Sequence, residues 1–278
     1  RDLNVISNLN VTVREGELLA VAGSSGSGKS LLAHAILGIL PKNAAVSGEV
    51  LWRGEALTAA KQKKLRGREL ALVPQSVTYL DPLMRVGRQI SKDKSTVRQL
   101  FGRYHLEEAV ALRFPHELSG GMTRRVLLSC ALSGNARLVI ADEPTPGLSP
   151  HLAEKAMKHF RQIADSGAAV LLITHDLDLA LRFADRIAVF YAGTTVETAN
   201  AADFADASLL RHPYSKALWS AMPQNGFTPA GGTQPYAGSL PDGCLYAPRC
   251  PLCTRECRAA APQPRAVRGG EVSCNYAG

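Results

Sequence analysis

The sequence predicts an α/β fold, a mostly parallel central sheet with helices on its faces, and three observations carry that reading. First, Gly23-Ser24-Ser25-Gly26-Ser27-Gly28-Lys29-Ser30 follows the apolar run Leu18-Leu19-Ala20-Val21-Ala22 and precedes the helical segment Leu31-Leu32-Ala33-His34-Ala35-Ile36-Leu37. Second, Leu138-Val139-Ile140-Ala141 is a short apolar run bounded by charged and turn residues, the pattern of a strand buried on both faces. Third, apolar strands at 169–173 and 186–190 alternate with helical stretches over 151–165 and near 177–184.

Taken in order, residues 1–22 alternate apolar and polar at Leu9, Val11 and Val13 and turn at Arg14-Glu15-Gly16-Glu17, which predicts an N-terminal antiparallel β portion. Gly38-Ile39-Leu40-Pro41 stops the helix after the glycine-rich loop. A short strand and turn follow over 48–54, and then a strand over 69–75 ending in Gln75. Residues 76–117 are less apolar, with helical patterns at 97–104 and 106–112; together with the helix Thr123 to Leu132 they predict a helical insertion over about 76–135. From about 222 the composition shifts to Pro, Gly, Thr and Cys. The division is therefore an α/β domain over 1–221 and a Cys-rich C-terminal extension over 222–278.

With 278 residues, the chain is long enough for one large α/β domain and an appendage. Its 46% hydrophobic and 20% charged residues are ordinary for a globular protein, and no apolar window approaches the ~18 residues of a membrane span. The start carries no secretion signal and no initiator Met, the expectation being a trimmed N-terminus. The net charge of +8 is spread out; its one dense run, Lys61-Gln62-Lys63-Lys64-Leu65-Arg66-Gly67-Arg68, is explained by a solvated loop, and no nucleic-acid partner is expected. Cys130 lies in an apolar helical segment and is expected to be a core thiol, whereas the other five cysteines cluster from Cys244 onward. Without a secretion signal, such clustering favours metal or cluster binding over disulfides.

The motif G-x-x-x-x-G-K-[ST] at 23–30, between strand and helix, is a phosphate cradle. Its glycines let backbone N–H groups curl around an anion, and the following helix adds its positive end. Lys29 can reach the β- and γ-phosphates of a nucleotide, and the Ser30 hydroxyl can ligate Mg²⁺. Asp142-Glu143 directly after an apolar strand reads as a Mg²⁺-holding Asp beside a Glu placed to polarise the attacking water; a solvated acidic turn is the plain alternative. His175 also ends a strand, where open α/β sheets gather ligands. Leu118-Ser119-Gly120-Gly121-Met122 is either a capped helix start or a second phosphate-binding helix N-terminus.

Together, in this order, the loop 23–30, Gln75, Leu118-Ser119-Gly120-Gly121, Asp142-Glu143 and His175 resemble the motifs of the ATP-binding-cassette ATPase family over residues 10–200. The resemblance implies a dimer of two such domains, with each ATP held between one subunit's phosphate loop and the other's Ser119, Gly120 and Gly121. It implies that Gln75 contacts Mg²⁺ and the catalytic water, that His175 contacts the γ-phosphate, and that the helical insertion docks on a permease. Asp81-Pro82-Leu83-Met84, Phe114-Pro115-His116-Glu117 and His212-Pro213-Tyr214-Ser215-Lys216-Ala217-Leu218 look like the oligopeptide, dipeptide and nickel importer branch. That branch implies an ATPase at the cytoplasmic face of the membrane, driving import of peptides or a metal chelate. Its partners would be two permease subunits, an extracytoplasmic binding protein and a second ATPase subunit, a heterodimer being favoured over a homodimer. A soluble cassette in DNA repair, translation or cluster assembly, and a non-hydrolysing regulatory cassette, are the rival readings.

The spacing of Cys244, Cys250, Cys257 and Cys274 is similar to the same branch's C-terminal Cys pattern, which implies a [4Fe–4S] cluster, with Zn²⁺ the alternative. Cys253 is an additional thiol that makes a zinc-like C-x₂-C with Cys250. Three positions depart from the family pattern. Ser149 stands where an Asp is usual; no aromatic residue in 1–13 precedes the phosphate loop to stack on adenine, so that either base stacking is weak, or the residue lay before the trimmed start, or an aliphatic such as Val5 substitutes; and Thr123-Arg124-Arg125 replaces the usual Arg, Gln and Arg.

Overall fold

The computed structural model describes residues 4–24 and 26–277. Strand β1 (Leu18–Gly23) is buried along its whole length and runs through the glycine turn into helix α1 (Lys29–Leu37). The helix ends at Gly38, whose φ of 64° suits a residue without a Cβ. Gln62 Nε2 donates to the Ala35 and Ile36 carbonyls at 2.8 and 3.1 Å, satisfying acceptors that the helix end leaves open. The expected antiparallel β portion is a short hairpin of β2 (Leu51–Trp52) and β3 (Glu55–Ala56). The alternation at Leu9, Val11 and Val13 forms no strand.

The basic run expected in a solvated loop lies instead largely on helix α2 (Ala59–Leu65), started by Thr58, which accepts from Lys61 N. Next come β4 (Leu70–Val73) and the helical insertion: α3 (Val86–Ile90), α4 (Lys94–Arg103) and α5 (Gly120–Ala131). Asp93 caps α4 by accepting from Ser95 N and Thr96 N, and Ser119 caps α5 by accepting from Met122 N. The second helical pattern of this region is a 3₁₀ turn over Glu108–Leu112. Val86, Ile90, Leu100, Phe101, Val126 and Leu127 close its core.

Strand β5 (Leu138–Asp142), helix α6 (Pro150–Asp165), strand β6 (Ala169–Thr174), helix α7 (Leu177–Leu181) and strand β7 (Arg186–Tyr191) follow the predicted alternation. Beyond them lie β8 (Thr194–Asn200), α8 (Pro213–Ser220), α9 (Arg255–Ala259), β9 (Arg265–Val267) and β10 (Gly270–Val272). Sequence reasoning did not identify β8, because a Glu in its middle hides the apolar pattern. Glu197 is nonetheless 1% exposed, and it is buried fully satisfied: it accepts from Arg211 N at 3.0 Å, His212 N at 2.8 Å and the Arg211 guanidinium at 3.2 Å.

The chain divides into two compact units. One comprises 14–17 and 30–173; it contains the parallel run β4-β5-β6, the hairpin and the insertion. The other comprises 1–13, 18–29 and 174–278. In it β1 pairs in parallel with β7, and β8, β10 and β9 extend the run antiparallel. The Cys-rich end thus adds two strands beside β8, and Val272, Cys274 and Ala277 with Val267 form a small apolar cluster within it. Among the described residues no helix is long and apolar enough to cross a membrane.

Candidate functional site

The candidate residues fall in both units, and each set has its own geometry. In the first-named unit, Ser30 at the start of α1 donates from Oγ to Asp142 Oδ1 at 3.1 Å, joining two of the three expected Mg²⁺ ligands across 112 residues of sequence. Asp142 and Glu143 are 2% and 7% exposed. Glu143 has a left-handed backbone, φ 47°, and its N–H donates to the Ile173 carbonyl at 2.9 Å. Gln75 is exposed beyond the end of β4. Ser119 and Gly120 are exposed at the N-terminus of α5, with Gly121 half-buried. Ser149 begins α6 without making a side-chain cap bond.

One residue that joins these parts was visible in the sequence only as a departure from pattern. Arg124, on α5, is 4% exposed. Its Nη1 donates to the Pro74 and Gln75 carbonyls, both at 2.7 Å, and its Nη2 donates to the Glu143 carbonyl. Burial pushes its guanidinium below the usual arginine range, and the Asp142 and Glu143 carboxylates pull it back up. The guanidinium therefore fastens the segment carrying Gln75 and the turn carrying Glu143 to the helix that opens at Ser119.

In the other unit the loop after β1 is shaped by close approach. A Cβ on Gly23 would lie 2.3 Å from the Phe190 carbonyl oxygen, and one on Gly28, where φ is 91°, would lie 2.8 Å from Ile6. Lys29 is 7% exposed and its ammonium donates to the Gly23 and Ser24 carbonyls, both at 2.8 Å, and to Ser27 Oγ at 3.4 Å. Gly26 has φ 78° and faces open space. Ser25 lies outside the described residues. Val5 is 37% exposed. His175 is exposed just past β6, where Asp176 caps α7 by accepting from Leu179 N at 2.9 Å.

The same unit gathers Cys244, Cys250, Cys257 and Cys274 around one small, apolar-walled pocket, with His212, Tyr246 and Tyr276 among its other walls. Cys253, the additional thiol of the C-x₂-C pair, does not line it and points to the Thr254 carbonyl. Burial raises the Cys244, Cys250 and Cys274 thiols above the usual range. Among the described residues no group of three or more His, Cys, Asp or Glu is arranged to hold a metal ion, so the expected four-thiolate ligand set is a shared pocket and not a formed cage. Cys130 is a core thiol, as expected, its pKa pushed up to about 12 by burial.

Comparison with known proteins decides the family. The sequence profile of the ABC transporter family matches residues 6–146. The chain belongs to that family. It is an ABC ATPase, and a second profile, the oligopeptide/dipeptide transporter C-terminal region, matches residues 196–257. The ATPase is similar to the oligopeptide transport ATP-binding protein OppD of Escherichia coli strain K12, 32% identical, the match covering 98% of this chain and 88% of OppD. It is also similar to the dipeptide transport ATP-binding protein DppD of the same strain, 34% identical over 98% of this chain and 90% of DppD. Among solved structures, a dimeric post-hydrolysis state of the ATP-binding cassette MJ0796 bound to ADP and Pi is 27% identical, with a TM-score of 0.64, covering 71% of this chain and 90% of that one. The ABC ATPase fold, with a mostly parallel sheet and a separate antiparallel pair, is the fold expected above.

Proposed function

We propose that this ABC ATPase powers peptide import through a membrane transporter, with residues 1–221 handling the nucleotide and 222–278 forming an extension. The observation that carries the reading is the likeness, over nearly the whole chain, to ATP-binding proteins named for oligopeptide and dipeptide transport, including the C-terminal region at 196–257. The peptide branch is favoured over metal chelates because those relatives are named for peptides. The partners are two permeases, an extracytoplasmic peptide-binding protein and a second, different ATPase, assembled at the cytoplasmic face of the membrane. Val77, Tyr79, Leu83, Met84 and Leu112 are exposed apolar side chains on the insertion, an arrangement suited to a permease surface.

In this reading Gly23, Ser24, Ser25, Gly26, Ser27, Gly28 and Lys29 bind the phosphates of ATP. Ser30, Gln75 and Asp142 hold Mg²⁺, whose charge stabilises the transferring phosphoryl group. Glu143 takes a proton from the attacking water and His175 contacts the γ-phosphate. Ser119, Gly120 and Gly121 complete the partner's site, a role that suits the exposure of Ser119 and Gly120. Arg124 positions Gln75 and Glu143 through their carbonyls. The test is ATPase activity of the assembled transporter in vesicles, with and without peptide-loaded binding protein. Stimulation by peptide supports the reading; a constant rate, or stimulation by a nickel chelate alone, overturns it.

The four pocket thiols are the ligand set we propose for a [4Fe–4S] cluster, with zinc as the competing occupant. Four thiols around one pocket are the right donors for either, and the similarity of their spacing to the importer branch's Cys pattern favours the cluster. The cluster's role is structural, tying together a segment with little apolar core. Iron and acid-labile sulfide in anaerobically purified protein would support it, whereas stoichiometric zinc without iron would replace it.

A further inference from the structure

Ser24, the second residue of the phosphate loop, is held from far along the chain. Its hydroxyl donates to Gln234 Oε1, a partner 210 residues away in the C-terminal extension. Its carbonyl is one of the two that accept from Lys29 at 2.8 Å. Ser24 is also the polar neighbour of the Tyr214 phenol: burial raises the phenol's pKa, and Ser24 draws it partly back down. Tyr214 itself is 3% exposed and cannot move freely: its ring packs 4.6 Å from Tyr191 and 5.4 Å from Tyr246, centroid to centroid. Tyr191 and Tyr246 meet edge to face at 5.2 Å, and Tyr246 lines the thiol pocket beside His212. All of these residues lie in one compact unit.

We propose that Tyr214 and Gln234 are positioning residues of the phosphate loop, fixing Ser24 so that the grip on nucleotide depends on the C-terminal part of the chain. The inference rests on reading residues 23–30 as the nucleotide cradle. A loop already held in its binding conformation loses less freedom on closing around phosphate, which is where affinity is gained. The aromatic packing fixes the phenol, and the phenol with Gln234 fixes the loop.

The test is equilibrium binding of a fluorescent ATP analogue with Mg²⁺ to the full chain, with melting temperature measured in parallel. Tyr214→Phe keeps the ring packing and removes only the hydroxyl; Gln234→Ala removes the second partner. Each is expected to raise Kd about two- to tenfold, the worth of a hydrogen bond or two, with the melting temperature held. In a Ser24→Ala background, Gln234→Ala should have no further effect on Kd. Unchanged affinity in both single variants, or a full Gln234→Ala effect that persists without the Ser24 hydroxyl, overturns the proposal. Lys29→Ala separates the two layers of inference: if it leaves Kd untouched, the cradle reading itself fails, whatever Tyr214 does.

Discussion

Arg124 donates to the backbone carbonyl of Gln75 at 2.7 Å, from a guanidinium that is also bonded to the Glu143 carbonyl. One buried cation thus spans from a strand end to a turn with side chains assigned to one reaction. Arg124→Met should lower kcat on the order of 10²-fold by loosening both, because small misplacements of reacting groups are costly. Nucleotide Kd should stay within a factor of two or so of wild type, as the hydrogen bonds removed all lie outside the cradle and those within it are kept. Arg124→Gln, which restores the residue usual in the resembled family but reaches fewer carbonyls, should fall between. Steady-state turnover measured beside equilibrium binding checks the split.

Glu143→Gln should reduce turnover by about 10²–10⁴-fold, the range a general base supplies, while ATP remains bound. Single-turnover hydrolysis with retained nucleotide is the measurement. Hydrolysis at the wild-type rate would remove Glu143 from its role.

Gly23→Ala should destabilise the protein by about 1–3 kcal/mol or more, because the new Cβ meets a backbone oxygen that cannot step aside. Gly26→Ala, with open space around the position, bears only the cost of its left-handed φ. Chemical denaturation of the two variants should rank them in that order.

His212 is 1% exposed, and desolvation by burial lowers its pKa to about 3; its neutral Nδ1 accepts from Tyr214 N at 3.0 Å to cap α8. The folded pKa lies below the unfolded value near 6.5, so the unfolded chain binds more protons in between. Stability from this group is present above about pH 6.5 and is lost as pH falls toward about 3. His212→Asn, which can cap but does not titrate, should melt with a shallower dependence on pH across that window.

The strands and loops of the nucleotide site were legible because their signals are local: apolar runs, glycines at fixed intervals, and polar residues at strand ends. Long-range partners were not. The sequence names Arg124 as an unexpected residue, but its burial and its carbonyls, 19 to 50 residues away, exist only after folding. Strand β8 was hidden by Glu197, whose charge is acceptable inside only because Arg211 and His212 arrive from a later turn. The similarity of spacing to the branch's Cys pattern singled out the four thiols that share a pocket and set Cys253 apart as an additional one, and Cys253 does not line that pocket.

The left-handed backbone at Glu143 has a consequence for how this enzyme can be altered. A side chain in that conformation costs roughly 1–2 kcal/mol that glycine would not. Position 143 is thus one where a search for hardier variants by heat alone would drift toward Gly, keeping the fold and discarding the carboxylate. On the role proposed for Glu143 as general base, screens for a more robust version of the protein must select for turnover at the same time, or the first thing they improve will be an inert one.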